Sequence, residues 1–173
     1  MEPIVPERAE DIWKAVEASL PELRPWMAWA PTADLASTRS FADGEARAWG
    51  SSSWTFTILV DEDVAGGVGL DRHDPLLATA QIGYWIRSDL SGRGLMTEAA
   101  ALVVDFAFRE LKLHRLELHA APANVGSIRV AEKLGFSRGG VLRDGSRGEA
   151  GFHDVLVFDL LESDDRPKPP VLG

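Results

Sequence analysis

The sequence predicts an α/β fold: a central mixed sheet, mostly antiparallel in its N-terminal part, flanked by helices and completed by one parallel βαβ unit. Three observations carry that prediction. Residues 81–107 (QIGYWIRSDLSGRGLMTEAAALVVDFA) read as a strand that breaks into a glycine turn and re-forms as a helix. An alternating strand follows at once, so strand, crossover helix and strand stand in the order that makes parallel neighbours. Ahead of them lie a β-rich hairpin pattern and, earlier still, two helical stripes.

Each element has its own warrant. In residues 6–20, Ala9, Ile12, Trp13, Val16 and Leu20 share one helical stripe, with acidic residues early in the run. Pro21 and Pro25 interrupt it, leaving Trp26, Met27 and Trp29 in a stretch too irregular for a long helix. Trp26 and Trp29 either line a substrate mouth or plug the helical edge onto the sheet. Thr32 or Asp34 caps a second helix that runs to about Trp49 and ends in the polar loop Ser51-Ser52-Ser53. Residues 54–60 are β-branched and aromatic, 61–63 make a turn, and 64–72 return as a second strand, in which Gly66, Gly67 and Gly69 mark weakness or a bulge. Residues 79–87 form a third strand feeding the glycine turn.

A helix from Gly94 to about Lys112 repeats Leu95, Ala99, Leu102, Val103 and Phe106 on its buried side. Residues 116–121 alternate Leu116, Leu118 and Ala120 against Glu117 and His119. Pro122-Ala123-Asn124 turns the chain into a helix over 125–134, stopped by Gly135 at C′. Residues 136–143 and 150–161 are final strands around a polar, glycine-rich loop at 144–148. A single domain is expected over residues 1–162, with a proline-rich disordered tail over 163–173.

Composition narrows the function. The chain has 173 residues and no cysteine, which excludes disulfides and thiolate metal sites, and its net charge of -9 argues against a nucleic-acid surface. His73, His114 and His153 show no metal-ligand spacing, so no metal is expected. The acidic start lacks the pattern of a secretory signal, and the longest apolar run, 99–104, is far short of a membrane span. A soluble cytoplasmic protein, with no membrane partner, is the expectation.

The glycine turn suggests anion binding. Gly92 and Gly94 can take positive φ and turn their N–H groups inward, where the following helix adds its free N–H groups and macrodipole. A phosphate or pyrophosphate fits such a site. Tight turning or close packing remains the other reading of the same glycines. A Walker A loop would need Gly-Lys-Ser/Thr, whereas Gly94-Leu95-Met96-Thr97 stands here, and a dinucleotide fingerprint would want a small residue at Thr97.

Taken in order, the strand ending at Arg87, the turn Ser91-Gly92-Arg93-Gly94-Leu95-Met96-Thr97-Glu98-Ala99, and Asn124-Val125-Gly126-Ser127 leading to Ala131-Glu132-Lys133-Leu134-Gly135-Phe136 resemble the GNAT N-acetyltransferases. Within them the likeness is to the RimJ/RimL-like branch of ribosomal-protein-alanine acetyltransferases. It covers most of the chain and is strongest between Gln81 and Phe136. The resemblance implies the GNAT acyl-CoA N-acyltransferase fold, with acetyl-CoA as co-substrate and an amine as acceptor. It further implies that N–H groups of Ser91, Gly92, Arg93, Gly94, Leu95 and Met96, with the Thr97 hydroxyl, hold the pyrophosphate, and that Arg93 lies near a phosphate. The backbone of Ile86 and Arg87 would pair with pantetheine as an added strand. The sequence departs from the family's loop at Asp89, where the family carries glutamine or arginine.

Asn124 and Ser127 sit where the family places a cofactor-binding asparagine and a serine near the CoA sulfur; read alone, they are a helix-entry turn. The resemblance casts Ser127 as proton donor to the thiolate. His119 is the candidate general base, a residue type suited to accepting a proton at neutral pH; Glu117, Glu98, Glu149 and Asp154 are its rivals. Trp26, Trp29 and Glu98 are the candidate substrate-binding residues. The expected reaction is direct acetyl transfer in a ternary complex, preferably to a protein N-terminal amine. Small cationic amines such as aminoglycosides or polyamines are the alternative. A non-catalytic acyl-CoA sensor and a structural partner-binding module are the other classes, and the tryptophans with the final hairpin are where two copies would pair as a homodimer.

Overall fold

The computed structural model of the protein describes residues 1–169. One seven-stranded sheet runs through it in the order β1-β2-β3-β4-β5-β7-β6, with β1 at Glu2–Pro3, β2 at Trp54–Val60, β3 at Asp63–Asp74, β4 at Thr79–Ile86, β5 at Arg115–Ala120, β6 at Ser137–Gly148 and β7 at Gly151–Leu161. Every neighbouring pair is antiparallel except β4 and β5, which are parallel. The mixed sheet expected from the sequence is therefore present, and the parallel joint falls where strand, crossover helix and strand placed it.

Five helices flank the sheet: α1 at Ala9–Glu17, α2 at Leu20–Leu23, α3 at Leu35–Ala48, α4 at Leu95–Arg109 and α5 at Val125–Lys133. Alternation along the strands divides them between two faces. Leu70, Ile82, Leu116, Leu118 and Leu160 point to one face and pack with Ala99, Val103 and Ala107 of α4 and Val130 and Ala131 of α5. On the other face Ile4, Ile12, Val16, Leu23 and Ala42 form a second apolar cluster that joins α1 and α3 to Val64, Leu59 and Trp85. The first cluster is the larger, and it fixes α4 and α5 against the parallel joint.

Local chemistry sets the ends. Asp34 caps α3 in a reciprocal box with Ser37. Gly135, at φ +87°, closes α5 as expected. Helix α4 stops at Arg109 rather than Lys112, because Lys112 takes φ +56° and turns the chain into β5.

Three expectations differ from the structure. The first helix is divided: a 3-10 turn at Pro6–Arg8, then α1, then α2 after Ser19, whose buried hydroxyl donates to Ala15 O and accepts from Ser88 N. Strand β1 carries no apolar period and escaped the sequence reading. Residues 144–148 are part of β6 rather than a loop, because a register shift between Leu142 and Ser146 absorbs the extra residues as a bulge. In the tail, Arg166 lies over the Phe108 ring and donates to Glu162 O; residues 170–173 lie outside those described.

Candidate active site

Strands β4 and β5 pair only from Thr79–Arg115 to Ile82–Leu118. Beyond that point β5 keeps its partner β7 through His119 and Ala120, while β4 continues alone beside β3 to Ile86. The two parallel strands thus splay apart and leave part of the inner edge of β4 unpaired. The Arg87 N–H donates to Ala65 O of β3 at 2.7 Å. Backbone direction alternates along a strand, so the N–H and C=O of Ile86 face the gap. A cleft of about 820 Å³ runs through this gap and is lined from both faces of the sheet.

At one end of the cleft stands the N-terminus of α4. Gly92 has φ +77° and Gly94, the N-cap, φ +88°. Among the described residues none beyond its two chain neighbours would crowd a Cβ at Gly92, so it is the left-handed backbone that demands glycine there. The first α-helical bond is Glu98 N to Gly94 O, 3.1 Å, and among the described residues no backbone acceptor takes the N–H groups of Gly92, Arg93, Gly94, Leu95, Met96 or Thr97. Six unspent donors in one concave turn at a helix N-terminus suit a pyrophosphate. Ser91 differs: its N–H is spent on Ser88 O at 3.2 Å, and only the rest of the residue lines the cleft. Arg93 folds back so that its guanidinium donates to Asp89 O, 3.0 Å, and Asp89 also pairs with the Arg87 side chain. The unusual Asp89 therefore braces the turn from behind. Arg129 and Lys133 on α5 line the same half of the cleft, and neither makes an ion pair among the described residues.

At the gap itself, Asn124 caps α5 by accepting from Ser127 N at 3.1 Å. The Ser127 hydroxyl lies 3.0 Å from the Tyr84 phenol, which also reaches Ser127 O at 3.3 Å. This bond crosses from β4 to α5 over the splayed strands. Burial pushes the Tyr84 phenol up to about 12, against the opposing pull of the Ser127 hydrogen bond. It stays protonated at neutral pH.

His119, 19% exposed, lines the cleft on the opposite face of the sheet, with Nε2 3.1 Å from Glu117 Oε2. Burial alone would raise the Glu117 carboxyl, but hydrogen bonds from Arg115 and His119 outweigh it and hold it below its ordinary value. A carboxylate facing Nε2 favours the proton there and leaves Nδ1 as acceptor. On this face part of the floor is glycine, open at Gly83 and overlain by neighbouring side chains at Gly67 and Gly69. Gly67, Gly69 and Gly83 sit on adjoining strands, and a Cβ at Gly67 would stand 2.8 Å from the Trp85 indole nitrogen. Trp26, Met27, Trp29 and Phe41 form the apolar wall, with Glu45 and Asp71 among the polar groups.

Of the residues singled out from the sequence, Trp26, Trp29, Ile86, Ser91, Gly92, Gly94, Leu95, Met96, Thr97, His119, Asn124 and Ser127 all line this one cleft. Trp29 is 42% exposed at its rim. Arg87 and Arg93 lie beside it, tied to Asp89, and the Arg87 N–H is not free to pair with an added strand. Glu98 is exposed on the first turn of α4 and does not line the cleft. Tyr84, Arg129, Lys133, Glu45 and Asp71 were missed. Tyr84 belongs to the same IGYW run that marked the strand, and its position two residues past the last β4–β5 pairing is a signal only the splay reveals.

Among the described residues no group of three or more His, Asp or Glu is placed to hold a metal ion, and no helix is long and apolar enough to cross a membrane. Residues 1–137 match the family model described as an acetyltransferase (GNAT) domain. A probable N-acetyltransferase of Bacillus subtilis, YjcK, is 47% identical over 89 residues, 51% of this chain and 49% of the relative. The putative ribosomal N-acetyltransferase YdaF of the same organism is 35% identical over 105 residues, 61% of this chain and 57% of the relative. The alignments thus span only 49% and 57% of the length of these curated relatives. Among solved structures, Mycobacterium smegmatis RimJ in complex with CoA-disulfide superposes with a TM-score of 0.85 at 26% identity, covering 95% of this chain and 83% of that one.

Proposed function

Because the chain belongs to the GNAT acetyltransferase family, we propose that it moves the acetyl group of acetyl-CoA to a primary amine, with a protein N-terminal amine as the favoured acceptor. The observation that carries this reading is the splay of β4 from β5 beside six unspent N–H groups at the start of α4. An extended thioester arm fits the gap as an added strand, bonding the backbone of Ile86, while its pyrophosphate meets the α4 turn. Arg129 and Lys133 add positive charge along that path.

Attack by the amine forms the C–N bond as the C–S bond breaks, and needs a neutral nitrogen and a protonated leaving sulfur. His119 Nδ1, with Nε2 turned to Glu117, takes the proton of the incoming ammonium. Ser127 Oγ–H gives a proton to the departing thiolate and is refilled by the second proton that the attacking nitrogen sheds as the amide forms. When the Tyr84 phenol donates to Ser127, the serine hydrogen is left free for that transfer. Asn124 holds Ser127 in place through the helix cap. The N-terminal acceptor is favoured by the cleft's open rim at Trp29 and by the likeness to a putative ribosomal N-acetyltransferase.

The test is release of CoA thiol from acetyl-CoA in the presence of an alanine-initiated peptide and of its N-acetylated copy. Release with the free amine alone is expected, and Ser127→Ala should lower kcat by about 100-fold with the acetyl-CoA Kd unchanged. Equal release with both peptides would exclude N-terminal transfer, and binding without any release would support a sensor.

A further inference from the structure

Glu149 and Asp154, rivals to His119 on sequence grounds, do not line the cleft, and neither does any other residue from 144 to 152. They belong to the far end of the β6–β7 hairpin, whose tip rests on the segment that carries the apolar wall. The Glu149 N–H donates to Arg24 O at 3.0 Å. Gly148, buried between exposed neighbours, lies so close to Pro25 that an added Cβ would stand 2.2 Å from Pro25 O, 2.8 Å from Pro25 C and 3.2 Å from Arg24 O. Its φ lies outside the left-handed region, so close approach rather than backbone conformation requires glycine here. All three obstructing atoms are backbone, which no change of rotamer moves aside. The side chains add little: Arg24 Nη1 is 3.9 Å from Glu149 Oε1, and the Glu149 side chain is 62% exposed.

Strand β6 reaches this contact by bending. Its register shifts between Leu142 and Ser146, where Asp144 takes φ +50° and its N–H donates to Asp154 Oδ1 at 3.0 Å. Such a bulge bends the strand that carries it and increases the local twist. Beyond it Arg147 lies over the Phe152 ring, 5.4 Å from the centroid, and closes the tip. On the other side of the contact, the chain between α2 and the 3-10 turn at Ala30–Thr32 is a tight turn in which Trp26 N and Met27 N share Leu23 O, at 3.0 and 2.9 Å. Pro25 immediately precedes Trp26 and Met27, both of which line the cleft, so a displacement of Pro25 passes directly to the wall.

We propose that Gly148 is a positioning residue for the acceptor: by letting the hairpin tip seat on Arg24 and Pro25, it sets where Trp26 and Met27 stand in the cleft. This rests on the acetyl-transfer reading. Asp154 and Glu149 then serve the same seat, Asp154 through the bulge and Glu149 through its backbone N–H.

The test is Gly148→Ala, with Gly140→Ala as control, because Gly140 lies on the same strand and an added Cβ there meets nothing within 4 Å. With the alanine-initiated peptide as acceptor, Gly148→Ala should raise the peptide KM about tenfold, short of the ~100-fold that a ~1 Å misplacement of reacting groups costs. Gly140→Ala should leave it unchanged, and calorimetry should find the acetyl-CoA Kd unaltered in both. In fluorotryptophan-labelled protein the Trp26 signal, identified by its loss in Trp26→Phe, should move in Gly148→Ala while that of buried Trp54 stays. Should Gly148→Ala fail to fold, Asp154→Ala at an exposed position loosens the bulge and should raise the peptide KM about threefold, with kcat retained. Where the wild type turns over the peptide, an unmoved Trp26 signal or an unchanged peptide KM in Gly148→Ala overturns the proposal and leaves acetyl transfer standing. Equal rises in Gly148→Ala and Gly140→Ala, or a loss of kcat without a change of KM in Asp154→Ala, overturn it in the same way. No turnover by the wild type overturns both.

Discussion

On the α4 side of the gap the cleft is made largely of backbone: free N–H groups from Gly92 to Thr97, the exposed edge of β4 at Ile86, and two cations on α5. On the α1 and α3 side it is made of side chains drawn from many elements, Trp26 and Trp29 before α3, Glu45 on α3, Thr55 and Thr57 on β2, Asp71 on β3 and His119 on β5. One side suits anions and the other cations, and they meet where Tyr84, Ser127 and His119 flank the splay. A side built from consecutive backbone groups depends on a few glycines, whereas a side assembled from scattered side chains can change residue by residue without disturbing the fold. The first is therefore suited to holding a constant co-substrate and the second to setting which amine enters.

The sharpest way to break this contrast is at Gly94. Gly94→Val forces a β-branched residue into φ near +88° and withdraws donors from the turn. Loss of two charge-assisted hydrogen bonds should weaken acetyl-CoA by at least about 100-fold, seen as loss of the rise in Tm that the ligand gives the wild type. An unchanged Tm rise would mean that the turn is only structural.

At the junction, Tyr84 ties β4 to α5, and its raised pKa has a stability consequence. The folded state favours the neutral phenol, so this contribution is fully present below pH ~10 and is lost as pH rises through about 12. Its size is about 3 kcal/mol for so large a shift. Denaturant unfolding of the wild type should show this alkaline loss between pH ~10 and ~12, and Tyr84→Phe should lack it; parallel pH curves for the two proteins would contradict the assignment.

On the acceptor side, Gly83→Leu would fill an open part of the floor, where an added Cβ meets nothing within 4 Å among the described residues. The acceptor KM should rise about tenfold, a cost of about 1.4 kcal/mol, while acetyl-CoA binding holds. A matching loss of acetyl-CoA affinity would show that the two sides are not separable. The smallest expected effect is at Arg129 and Lys133, where the double change to Gln should weaken acetyl-CoA about three- to tenfold at low salt and less at high salt, as expected of exposed charges.

The same contrast explains what the sequence made legible. Gly92 to Thr97 are contiguous, so their chemistry could be read from one stretch, and Asn124 to Ser127 likewise form one helix entry. The βαβ joint and the hairpin of β2 and β3 followed from hydrophobic period. Tyr84 could not be singled out, because a tyrosine in a strand is common and its value comes from a helix 43 residues away in sequence. Asp71 and Glu45 were hidden for the same reason: each is an ordinary charged residue until the fold brings β3 and α3 together in the lining of one cleft. Residues 144–148 read as a loop because glycine and charge suggest turns, while pairing with β7 held them in a bulged strand.

The central claim is that the gap and the α4 turn together hold acetyl-CoA. Calorimetric titration of the folded wild-type protein with acetyl-CoA tests it most directly. Saturable one-site binding in the micromolar range, about -8 kcal/mol, is expected. A folded protein that gives no binding heat at any temperature tried, up to millimolar ligand, would contradict it.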